Sequence, residues 1–240
     1  MKIPVAGLIA TVLVAAGLAL GAMAFWNTNG ADSQPLVGLA RNREPLNSWL
    51  LETMADYPTD GSLPGMTGAE TQASMGTTQD LFYKGRRMIE GGPQRQSHCI
   101  GLMFEVYMKA YERAAGTADF DIPTIASNED YYAFRRDWYG VDGNKRTLVR
   151  ALTERDLGRE IRSLDDALPG DFLQFWRHTG SGHSAVLLKV ERNDAGKPSA
   201  LIFWSVHQTT GVSQKREEIG SGPREIDPSQ IYIVRAYAPD

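Results

Sequence analysis

Residues 96–108 read QSHCIGLMFEVYM, an apolar run with helical spacing that carries the only cysteine of the chain, Cys99. Ile100, Met103, Phe104, Tyr107 and Tyr111 follow the i, i+3, i+4, i+7 rule, and Leu102 and Val106 widen the stripe, so the segment predicts a largely buried helix. Ser97 reads as its N-cap. Cys99 then falls in the first turn, where unpaired backbone N–H groups and the positive end of the helix dipole favour an anion. Such a position, with an imidazole nearby, lowers a thiol pKa from about 8.5 to roughly 3.5–7.5. The competing reading is a core thiol, because unpaired cysteines are among the most buried residues.

The chain has 240 residues, 42% hydrophobic and 22% charged, which is enough apolar material for one good core plus an appendage. Its formal net charge is −4, which argues against nucleic acid as a partner. One cysteine permits no intramolecular disulfide, and an odd thiol in an exported chain is a candidate reactive group. Export is read from the N-terminus, where Lys2 precedes an uncharged run over residues 3–26. As a helix that run spans about 36 Å, enough for a hydrocarbon core of about 30 Å. Ala22-Met23-Ala24 fits the A-x-A cleavage pattern, so residues 1–24 are read as a signal peptide or membrane anchor. Both versions place the rest outside the cytoplasm, in a periplasm, at a cell surface or secreted. Membrane contact is expected only through residues 3–26, if uncleaved.

Residues 25–44 read as a linker, and residues 45–79 as a short helix followed by a Gly/Pro/Ser/Thr-rich extension. Leu46, Trp49, Leu50 and Met54 share one face of that helix. Residues 80–89, DLFYKGRRMI, predict a strand or a helical turn. Residues 128–138 and 144–161 predict two further helices with Arg-rich solvated faces. The period then changes. Residues 171–177, 183–191, 200–208 and 230–237 are β-branched or aromatic runs between turn residues, and so predict strands. Helices first and an antiparallel sheet second indicate an α+β fold.

Four histidines complete the inventory: His98 beside the cysteine, His178 in the turn HTGSG, His183 opening one strand and His207 ending the next. Cysteine peptidases and acyltransferases need a thiolate, an imidazole that takes up and returns a proton, and a polar group that orients the imidazole. The order Gly91-Gly92, SHCIGLMFEVY, LPGDFLQFW and GHSAVLLKVE resembles the papain-fold cell-wall peptidases of the NlpC type, over residues 80–240. The resemblance implies a papain-like fold, with a central cysteine-bearing helix packed on an antiparallel sheet; a helical insertion read at about residues 116–165 departs from the family. It implies Cys99 as nucleophile, His183 as base, and Pro169-Gly170-Asp171 as the start of the sheet. The family's usual Asp-Cys-Ser-Gly is His98-Cys99-Ile100-Gly101 here, and the insertion is unusual. The implied activity is hydrolysis of amide bonds in peptidoglycan stem peptides or another peptide, without cofactor or metal. An amine acceptor in place of water would make the same site an amidotransferase.

The orienting residue is read from strand pairing. Placing Val190 opposite Ala200 puts His183 opposite His207, on one face with Ala185, Leu187, Phe203 and Ser205. His207 is therefore the expected third residue, with Ser205 as a diagonal alternative and Gln208 the outcome of a one-residue slip. Gln94 or Gln96 is expected to join the Cys99 N–H in an oxyanion hole. His98 reads as local structure or substrate contact, and Trp176 and Trp204 as core or cleft walls. Two other classes remain open: a non-catalytic module binding in the same cleft, and a metal site of Cys99, His98, His183 and His207. The metal reading lacks HExxH or paired CxxC spacing.

Overall fold

The structure is a computed structural model that describes residues 43–66, 76–140 and 143–240. The expected signal peptide or anchor and most of the linker lie outside the described residues, as does part of the extension. Four helices come in order, α1 (Asn47–Ala55), α2 (Cys99–Ala115), α3 (Asn128–Tyr139) and α4 (Thr147–Thr153). Between α1 and α2 lies a hairpin of β1 (Leu81–Tyr83) and β2 (Arg86–Ile89). After α4 come β3 (Gly158–Ile161), β4 (Phe172–Arg177), β5 (Gly182–Arg192), β6 (Pro198–His207), β7 (Gly211–Glu218) and β8 (Ile226–Ala236). These six form one antiparallel sheet in the order β3-β8-β4-β5-β6-β7, so the α+β reading holds.

The central helix is buried because its apolar residues nearly encircle it. Phe104 meets Phe134 and Trp138 at 5.6 and 5.4 Å between ring centroids, and Tyr107 meets Phe172 of the sheet at 6.2 Å. Each such ring contributes about 2–3 kcal/mol of transfer free energy. The sheet is apolar on both faces. Phe172, Val186, Trp204 and Val234 pack toward the helices, whereas Leu173, Phe175, Ala185, Leu187 and Phe203 form a second core on the reverse.

The Pro-Gly-Asp segment has a structural use. Arg235 of β8 donates to both oxygens of Asp171, Nε to Oδ1 at 2.7 Å and a terminal nitrogen to Oδ2 at 2.8 Å. Asn47 Nδ2 and the Leu168 N–H complete the carboxylate's partners at 2.9 and 2.8 Å. One buried ion pair thus joins the start of β4, the last strand and the first helix.

One expected helix is cut short, and one strand is unexpected. The helix expected over residues 144–161 stops at Thr153, and its second half is β3, which pairs with β8 from Gly158↔Ala236 to Ile161↔Ile233. The break is Asp156, whose φ of 53° no helix interior accepts. β7 was not foreseen at all: GVSQKREE is an edge strand whose outer half is polar on both faces. Arg235→Met alone should cost about 3–5 kcal/mol in urea unfolding, because it leaves Asp171 charged, buried and unpaired. The Asp171→Leu/Arg235→Met pair should recover part of that loss; equal losses would show that the pair matters only through packing.

Candidate active site

His98, not Ser97, caps α2: its Nδ1 accepts from the Gly101 N–H at 3.1 Å, and Cys99 is the first helical residue. Ser97 is held instead in a parallel bridge to Gly65, donating to Pro64 O at 3.1 Å and accepting from the Met66 N–H at 2.7 Å. A Cβ on Gly101 would lie 2.2 Å from the Gly76 carbonyl oxygen, so only glycine lets the extension lie against the helix start.

Cys99 borders a cavity of about 440 Å³ whose wall also includes Ser97, His98, Arg177, His183 and His207. Helix and histidines come to this cavity from opposite faces of the sheet. They meet where the β5–β6 ladder opens. Paired residues begin at Val186↔Trp204, and beyond them the Ser184 N–H hydrogen-bonds to the Cys99 thiol while the Ser184 carbonyl accepts from Ser205 Oγ at 2.7 Å. Ser205 is thereby committed to backbone and is not an orienting partner of His183.

His183 and His207 do lie side by side, as the register near the cavity requires: Val186↔Trp204 and Leu187↔Phe203 continue to His183 opposite His207. The expected Val190–Ala200 pair does not form. A bulge between Leu187 and Lys189 shifts the turn end by one, giving Val190↔Leu201. The two imidazoles stack at 5.0 Å and 25°, over Phe203 and Phe175 at 5.7 and 5.8 Å from His183. Nε2 of each histidine is buried without a hydrogen-bond partner among the described residues.

Burial dominates the electrostatics. It pushes the Cys99 thiol up, and the N–H groups of Ser184, Ile100 and Cys99, with the charge of Arg177, counter it only in part. Burial likewise pushes His183 well below the ordinary imidazole value, helped by His207, Arg177 and Lys215, and takes His207 down to about 4. Both shifts favour the uncharged forms, thiol and imidazole, although Cys99 and His183 are only half-buried. The thiolate expected from the helix dipole does not result, since a dipole contribution of about 0.3–1 kcal/mol is small beside burying a charge. On the far wall, Arg177 is neutralised by a two-bond pair with Glu217 at 2.8 and 2.7 Å.

The other expected residues lie elsewhere. Gln94 is exposed at φ 55°, and neither it nor Gln96 borders the cavity. Trp204 is core, edge-on to Tyr57 at 5.5 Å, and Trp176 packs on Tyr232 at 5.9 Å, so neither is a cleft wall. Gln208 is exposed at the cavity rim, and His178 is exposed with Nε2 2.9 Å from Gly220 O. Arg177 and Lys215 were not expected at the cavity, and Ser97 was expected only as a helix cap; alternation from Phe175 puts Arg177 on the histidine face, whereas Lys215 required β7. A larger cavity of about 590 Å³ between α1 and α2 has neither cysteine nor histidine in its lining, and its Arg113 and Lys109 are paired with Asp56 and Glu112.

Among the described residues, no group of three or more His, Cys, Asp or Glu is arranged to hold a metal ion, and no helix is long and apolar enough to cross a membrane. No protein-family model, curated protein or solved structure matches this chain. Alkylation of Cys99 by iodoacetamide should climb through and beyond the ordinary thiol pKa of about 8.5, with little reaction at pH 6. The sign follows from the direction of the shift: a raised thiol pKa moves thiolate formation to higher pH. A fast plateau below pH 7 would instead reveal an ion pair.

Proposed function

We propose that this chain is a papain-like thiol hydrolase that acts on amide bonds outside the cytoplasm, with peptidoglycan stem peptides as the substrate the NlpC resemblance implies. The observation that carries the reading is the shared cavity: the only cysteine, at the first position of a buried central helix, with a stacked His183–His207 pair on the same wall. The buried Asp171 of the Pro-Gly-Asp segment also fits the resembling order of motifs.

Cys99 attacks the carbonyl as His183 takes its proton. His183 then returns that proton to the leaving amine, and water or an acceptor amine releases the acyl group. Since burial favours the uncharged form of both groups, proton transfer accompanies attack on the bound substrate in this reading. His207 is the positioning residue, set against the base by the opened ends of β5 and β6.

A binding module on the same scaffold is the second reading, and one feature favours it: burial raises the Cys99 pKa and so disfavours the reactive thiolate. Purified peptidoglycan digested with the protein and analysed by mass spectrometry separates the two. New amide cleavage is expected, and Cys99→Ala should abolish it while costing about 1 kcal/mol or less in stability. Cleavage that survives Cys99→Ala, or none from a protein that retains peptidoglycan, would falsify the hydrolase reading.

A further inference from the structure

We infer that Ser97 supplies the side-chain hydroxyl of the oxyanion hole, an inference that rests on the thiol-hydrolase reading. Ser97 is fully buried, borders the cavity two residues before Cys99, and its Oγ has no hydrogen-bond partner among the described residues. Leaving a buried hydroxyl unpaired is unfavourable, so its partner is expected to arrive with a ligand. Its backbone is not free to drift, being bonded on both sides to the Pro64–Met66 segment. The glutamines expected in this role do not border the cavity. His98 is occupied as helix cap through Nδ1. Ser184 N–H goes to the sulfur itself.

In the step concerned, the Cys99 sulfur forms a C–S bond to the acyl carbon while the carbonyl π pair moves onto oxygen. The thiol proton passes to His183. The Ser97 O–H donates to that developing oxyanion, and collapse expels the leaving group. Donors that meet charge only as it develops act mainly on the transition state.

The test compares two reactions of the same sulfur in the full chain, followed by intact-protein mass spectrometry at one pH. Acylation by p-nitrophenyl acetate passes through an oxyanion and releases p-nitrophenolate; alkylation by iodoacetamide displaces iodide and forms none. Both need the thiolate, so their ratio cancels any change in thiol pKa. Ser97→Ala should lower the acylation-to-alkylation ratio by roughly tenfold to a thousandfold, and Ser97→Thr should keep it near wild type. Should Ser97→Ala not fold, Ser97→Val against Ser97→Thr makes the same comparison at matched shape. A ratio within twofold of wild type in the hydroxyl-free variant overturns the assignment and leaves the hydrolase reading standing. A wild-type Cys99 that is alkylated but never acylated sinks both.

Discussion

A carboxylate with no exposure stands near the middle of the central helix, and the extension that precedes the hairpin is arranged around it. Glu105 accepts from Tyr57 Oη at 2.8 Å, the Thr78 N–H at 2.6 Å, Thr78 Oγ1 at 2.7 Å and Gln79 Nε2 at 2.8 Å. Burying such a charge costs several kcal/mol, and hydrogen bonds to a charged group return roughly 1.5–3 kcal/mol each, so the four together offset it. Burial, and then Glu105 itself, hold the Tyr57 hydroxyl well above its ordinary value, which keeps that donor protonated. Glu105 thus ties residues on both sides of the extension to α2. The segment read as a loose Gly/Pro/Ser/Thr-rich loop delivers Leu63, Met66, Thr77 and Thr78 into the interior.

That tether fixes the start of α2 relative to the sheet, and the cavity depends on it. Gly76 follows from the same anchored stretch and lies against Gly101, while Gly65 sits so near the His207 carbonyl oxygen that a Cβ would be 2.6 Å away. Two points of the extension therefore touch the helix start and the end of β6. Between them β5 and β6 part, and the Ser184 backbone groups that would have closed the ladder turn to Cys99 and Ser205. A helix on one face and histidines on the other can meet only at such an opening.

Legibility in the sequence followed local determinism. The α2 stripe and the strands at residues 171–177, 183–191, 200–208 and 230–237 were readable because periodicity specifies them, and the His183–His207 neighbourhood because the hairpin register assumed for β5 and β6 holds at that end. The bulge beside Leu188 was not: an extra residue changes register without changing composition, and it moved the Val190 partner while leaving the histidine end intact. β7 escaped because an edge strand with two polar faces lacks apolar alternation. The N-cap went to His98 because the bridge to Gly65, a contact 32 residues away in sequence, holds Ser97 before the helix. Gln94 and Gln96 misled for the same kind of reason, since the short 3-10 turn at residues 93–95 carries them off the cavity.

On the hydrolase reading, the neutrality of the pair makes tautomers decisive. The Ser213 backbone hydrogen-bonds to His207 and raises its pKa, as a carbonyl acceptor does; with Nε2 partnerless, that bond falls on Nδ1. A neutral His207 of this form has a bare Nε2, an acceptor whose lone pair lies in the plane of a ring stacked on His183. A neutral His183 that donates its own Nε2–H to it keeps Nδ1 bare, and a bare nitrogen is what a general base requires. The rings now stack instead of meeting edge to edge, so forming that bond requires rotation of one imidazole against the other. Phe175 and Phe203 flank His183 and limit that rotation. The β6–β7 register, which sets Ser213 opposite Ser205 and Gly211 opposite His207, leaves the Ser213 backbone within reach of the His207 ring, so on this reading the edge strand helps to hold the imidazole stacked on the base.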